Sequence, residues 1–123
     1  MTANPFVILY VEDDDLVRES FVEALATAER RIVAVATGAR AREALREQTV
    51  NLLMTDLNLP DGSGLELARE ALRQNPTLPV IVCSGHDLSD VARSLGPTAH
   101  PMGKPVELDE LEALIERLAR STL

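Results

Sequence analysis

Four short segments of this 123-residue chain are apolar at nearly every position: Phe6 to Val11, Arg31 to Ala36, Asn51 to Asp56 and Pro79 to Ser84. A strand with one wet face alternates apolar and polar residues. A strand without that alternation needs apolar cover on both faces, as in a parallel sheet sandwiched between helices. Helical patterns fill the intervals. Asp14 or Asp15 can cap a helix running to about Glu29, with Leu16, Phe21, Ala24, Leu25 and Ala28 as its apolar stripe. Ala39 to Gln48 makes a shorter helix with Ala41, Ala44 and Leu45 inward. Ser63 can cap a third, on which Leu65, Ala68 and Leu72 share a face and which Asn75-Pro76 ends. Leu108, Leu111, Ile115 and Leu118 line a last helix whose Glu110, Glu112 and Glu116 turn to water.

The stretch from His86 to Gly103 carries weaker signals: a helix over Leu88 to Leu95 and a fifth strand over Ala99 to Met102. Pro101 has no N–H to give a ladder, so that strand belongs at a sheet edge or pairs poorly. The alternation predicts one α/β domain over residues 1–123, a (βα)5 three-layer sandwich. Right-handed crossovers then favour a parallel sheet of flavodoxin-like strand order 2-1-3-4-5.

Charge limits what such a domain binds. A net charge of −8 opposes contact with nucleic acid or an anionic membrane surface by this chain alone. No apolar run is long enough to cross a bilayer and no basic segment leads into one, so a cytoplasmic location is expected. The single cysteine, Cys83, has no partner for an internal disulfide and reads as core packing.

In a parallel sheet ligands gather at the carboxyl ends of the strands. The first strand here runs into Glu12-Asp13-Asp14, the third ends on Asp56, the fourth on Ser84, and the fifth is followed by Lys104. Lys104 is also the only lysine among twelve basic residues. Each feature alone has an ordinary explanation: a solvated helix cap, a turn, a strand exit, a loop. Together they bring carboxylates, a hydroxyl and an ammonium to one place. Crowded carboxylates either raise a pKa or bind a cation, and an all-oxygen set with room for water suits Mg²⁺. A carboxylate can take a phosphoryl group, a reaction that needs mainly positioning and charge neutralisation.

The segments VILYVEDDD, LLMTDLNLPDGSGLEL, VIVCSG and GKP resemble the response-regulator receiver domains of two-component signalling, over nearly the whole chain. The resemblance implies that Asp56 is the phosphoacceptor, that Asp13 binds Mg²⁺ directly and Glu12 through a water, and that the Asn58 carbonyl completes the protein ligands. It implies that Ser84 follows the phosphoryl group on activation and that Lys104 contacts the phosphoryl oxygens, before a cis bond to Pro105. Asn58 and His86 fall where such domains tune the lifetime of the phosphorylated state. The implied partners are a histidine kinase or histidine phosphotransfer protein and a downstream protein target, in a phosphorelay where the chain catalyses only its own phosphorylation and dephosphorylation. One position departs from the pattern: Pro101 stands where the family usually has a Tyr or Phe that turns inward on activation. Signalling through the loop after the fourth strand is the expected alternative route.

A receiver standing alone is the first expectation, since the chain runs from Met1 to just past the last helix; a receiver cut from a larger regulator or hybrid kinase is the second. A phosphatase of the haloacid-dehalogenase type needs a second Asp two residues past the nucleophile, where Asn58 stands. A nucleotide-binding module needs a glycine-rich loop after the first strand, where the acids stand.

Overall fold

The structure, a computed structural model, describes residues 5–85 and 89–121. Its elements are β1 (Phe6–Val11), α1 (Asp15–Leu25), β2 (Arg30–Val35), α2 (Gly38–Glu47), β3 (Leu52–Asp56), β4 (Asn58–Leu59), β5 (Gly62–Ser63), α3 (Gly64–Gln74), β6 (Val80–Ser84), α4 (Ser89–Leu95), β7 (Ala99–Gly103) and α5 (Leu108–Ser121). The five long strands form a parallel sheet in the order β2-β1-β3-β6-β7, the expected 2-1-3-4-5. The tiny antiparallel pair β4–β5 was not legible in the sequence.

The continuous apolar runs are divided between the two faces with a period of two. Val7, Leu9, Val11, Leu53, Val80 and Val82 face α2 and α3, where Ala41, Ala44, Leu67, Ala68 and Ala71 meet them. Ile8, Tyr10, Leu52, Met54, Ile81 and Cys83 face the other way, against Leu25 of α1 and Leu111, Ile115 and Leu118 of α5. Both faces being covered is what lets β3 and β6 be buried at every residue.

Four expectations need correcting, the first at Leu108, which the stripe of the last helix counts inward but which is 39% exposed at the start of α5. Helix α1 stops at Leu25 rather than near Glu29, because a tight turn follows: Glu29 N donates to Thr27 Oγ1 and Arg30 N to Thr27 O, both at 3.2 Å. Leu16 is 77% exposed and Ala24 and Ala28 are also in solvent. At about 100° per residue Leu16 lies opposite Leu25, which sets the inward face with Phe21 and Val22. Glu112 and Glu116 are not simply solvated. They pair at 2.9 and 3.6 Å with the buried Arg30. Pro101 does lie in an edge strand, and β7 pairs with β6 along all five residues. No helix among the described residues is long and apolar enough to cross a membrane.

Candidate functional site

The ladder bonds run one residue past the strand ends and so fix the residues just beyond them. Glu12 N donates to Val35 O at 3.0 Å, Leu57 N to Cys83 O at 3.0 Å, and Lys104 N to Ser84 O at 2.9 Å. Glu12, Asp56, Ser84 and Lys104 are therefore carried on the rim of the sheet itself. Glu12, Asp56 and Ser84 are buried there. Lys104 Nζ stands 2.7 Å from Asp56 Oδ1 and 3.8 Å from Glu12 Oε1. A carboxylate oxygen from each of Glu12, Asp13 and Asp56 lies within 4.8 Å of the others.

The acidic run divides its labour. Glu12 turns inward and Asp13 is exposed at the mouth of the site. Asp14 is the helix cap: its carboxylate accepts from Leu16 N and Val17 N at 3.0 and 3.1 Å, while its own N–H donates to Glu12 Oε2 at 3.0 Å. Asp15 pairs with Arg18 in the first turn. These groups open on a cleft of about 450 Å³, whose floor is Tyr10, Met54, Phe21 and Cys83.

Electrostatics at the rim follow from burial and crowding. Burial, reinforced by the Asp56 charge, raises the Glu12 carboxyl above its ordinary value, against the pull of the Asp14 amide and Lys104. Burial works against the Lys104 ammonium, but the hydrogen bond and charge of Asp56, with Glu12 behind it, hold its pKa above the ordinary value. Burial also pushes the Cys83 thiol up to about 12, so this cysteine is core and not nucleophile. The donor set is hard oxygen, anionic and partly open to solvent, and it fits a Mg²⁺ ion.

Several residues that shape the site carried no clear sequence signal. Arg18 reaches back from α1 to the Glu12 carbonyl at 2.8 Å. Gly64 N donates to Leu57 O at 2.8 Å, and a Cβ at Gly64 would sit 1.8 Å from the Asp56 carbonyl oxygen. Thr55 Oγ1 donates to that same oxygen at 2.9 Å. Only the glycine at the start of a helix hints at the close approach. Asn58 falls in β4, two residues past Asp56, with its side chain exposed. The Lys104–Pro105 peptide is cis. His86 lies outside the described residues.

A family model for the response regulator receiver domain matches residues 8–116. The chain belongs to that family. Among relatives of this receiver, the response regulator receiver protein CpdR of Brucella abortus is 34% identical over 117 residues, which span 90% of this chain and 94% of CpdR. The DNA-binding transcriptional regulator NtrC of Escherichia coli is 33% identical over 90% of this chain, which spans only 24% of NtrC. Of solved structures, a response regulator receiver protein from Pseudomonas putida matches with a TM-score of 0.81 and 28% identity, covering 95% of this chain and 99% of that one. The chemotaxis response regulator CheY4 of Vibrio cholerae shares the fold at a TM-score of 0.82 and 18% identity, over 94% and 99% of the two chains. Receivers are signalling domains that take phosphoryl groups from histidine kinases or phosphotransfer proteins, with Mg²⁺ in an acidic pocket. The acidic rim of this receiver lies where the sheet topology puts such a pocket.

Proposed function

We propose that this receiver accepts a phosphoryl group on Asp56 from a phosphohistidine of a kinase or phosphotransfer protein. The observation that carries the reading is the 2.7 Å contact of Lys104 with an Asp56 carboxylate oxygen, beside the oxygens of Glu12 and Asp13. In the transfer the donor P–N bond breaks and a P–O bond forms to Asp56. The electron pair leaves with the imidazole, which takes up a proton. Lys104 is close enough to pass from the carboxylate to the incoming phosphoryl oxygens. The Ser84 hydroxyl, on the strand beside Asp56, is the group that would follow them. Asp13 and Asp56, with the Asn58 carbonyl and Glu12 through a water, would hold Mg²⁺. The ion supplies positive charge against the phosphoryl oxygens.

The test is intact-mass spectrometry after incubation with acetyl phosphate. A gain of one phosphoryl group is expected with Mg²⁺, and neither in its absence nor in Asp56→Asn. An equal gain in the mutant would remove Asp56 from the role.

Output is the less ordinary part. Pro101, exposed in the edge strand opposite Val82, has no aromatic side chain to turn inward. The signal then leaves through the segment after β6, where His86 would tune the phosphate lifetime together with Asn58. Backbone amide shifts between residues 86 and 103 should change on phosphorylation; shifts confined to the acidic rim would sink this route. The net charge of −8 suits a protein partner rather than nucleic acid. The reading is of a cytoplasmic receiver, acting alone or as a module of a longer regulator.

A further inference from the structure

The loop that follows Asp56 is nailed down at a second point. Its chain doubles back as the β4–β5 hairpin, with Asn58 opposite Ser63 and Leu59 opposite Gly62. The base of the hairpin is closed by the Gly64 N to Leu57 O bond at 2.8 Å. Its tip is Pro60-Asp61, and the Asp61 carboxylate reaches across to α2. One oxygen accepts from Gly38 N at 2.8 Å and the other from Ala39 N at 3.0 Å. These two bonds hold the Asp61 carboxyl below its ordinary pKa.

Helix α2 already has a local cap. Thr37 Oγ1 accepts from Arg40 N at 3.1 Å. Asp61 is 23 residues away from Gly38 in sequence, so its bonds do more than start the helix. They tie the hairpin tip to a helix packed on the sheet. Gly38 makes room for this: a Cβ there would lie 3.2 Å from Asp61 Oδ1 and 3.5 Å from Leu59 Cδ1. Both ends of the hairpin are thus fixed, and Asn58 lies between them.

We infer that Asp61 is a positioning residue for the phosphoacceptor loop: the two hydrogen bonds it accepts from the start of α2 set where the Asn58 carbonyl is offered to Mg²⁺. The metal half of this inference rests on the function proposed above; the bracing of the hairpin does not. The test compares Asp61→Ala, Asp61→Asn and, as a control on the same helix end, Thr37→Ala. Mg²⁺ affinity is read by calorimetric titration and the hairpin by hydrogen exchange of the Gly64 amide. Asp61→Ala should weaken Mg²⁺ binding about tenfold, in the range seen when groups supporting metal ligands are lost. It should also speed Gly64 exchange about tenfold, an opening-equilibrium change of the same size. Thr37→Ala should leave both within about twofold. Asp61→Asn keeps an acceptor for one amide and should fall between them, and it serves if the alanine variant does not fold. Equal effects of Asp61→Ala and Thr37→Ala would reduce Asp61 to a helix cap and overturn the inference. If the wild type bound no Mg²⁺, the functional reading would fall, while the Gly64 contrast would still decide the brace.

Discussion

Lys104 and Gly64 act on Asp56 in opposite ways, one by charge and one by having no side chain. The ammonium at 2.7 Å offsets a carboxylate crowded by Glu12 and Asp13. Lys104→Met should leave that crowding uncompensated and slow phosphorylation by acetyl phosphate; an unchanged rate at saturating Mg²⁺ would argue against a role in transfer. Gly64 lets α3 begin against the Asp56 carbonyl, where an alanine methyl would overlap at 1.8 Å. Gly64→Ala should destabilise the fold by about 1–3 kcal/mol in urea unfolding, as overpacking of a tight contact does. His100 offers a pH test. Burial, and after it the Arg117 charge, hold its imidazole below 6.5. The unfolded chain then binds the proton more readily, so this contribution to stability is full above pH 6.5 and is lost as pH falls through the lower folded value. Arg117→Gln should move the His100 titration upward in proton NMR. The positions of Glu12, Asp13, Asp56 and Ser84 were legible because apolar runs end at them, and that of Lys104 because it follows the weaker fifth strand pattern. Arg18, Asp61 and Gly64 were not, since their work depends on contacts that sequence spacing does not reveal.

Helix α5 is tied to the opposite edge of the molecule by one buried cation. The Arg30 guanidinium donates to both Glu112 oxygens at 2.9 Å and lies 3.4 Å from the Leu25 carbonyl. Arg30 is buried at 9% exposure, whereas Glu112 and Glu116 still reach water. The two halves of the pair should respond unequally. Glu112→Ala leaves the buried Arg30 only its longer contact to Glu116 at 3.6 Å and should cost about 2 kcal/mol, whereas Arg30→Met leaves only solvated carboxylates and should cost less. Equal losses in denaturant titration would show that the pair, not its burial asymmetry, matters. The pattern of α5 predicted the inward Leu111, Ile115 and Leu118, but it also counted Leu108, which is exposed, and it set Glu112 and Glu116 in water, because an arginine in a distant strand cannot be seen from helical periodicity. Helix α1 failed by the same logic. The stripe read from its sequence set Leu16 inward, whereas Phe21 packs edge-on to Tyr10 at 6.1 Å and Leu16 turns outward.

Taken as a whole, the receiver is a covered parallel sheet whose carboxyl rim concentrates negative charge. A cation bound there should stabilise the folded state, because the unfolded chain does not assemble the site. Mg²⁺ at ten times its Kd should add about 1.4 kcal/mol to unfolding free energy, reversed by chelation and absent in Asp13→Asn. No stabilisation in the wild type would mean the rim does not gather the ion. Two-sided apolar runs alternating with helical patterns point to buried parallel strands, and a parallel sheet brings its strand ends together; the chain order of those runs therefore indicated the layers, favoured the 2-1-3-4-5 order and anticipated the meeting of Asp56 with the acids. Those are consequences of one-dimensional patterning. The tertiary structure alone decided the phase of α1, the Arg30 tie to α5, the Gly64 approach to Asp56 and the Asp61 brace on α2. Each depends on the distance between side chains far apart in sequence, which hydrophobic periodicity leaves open.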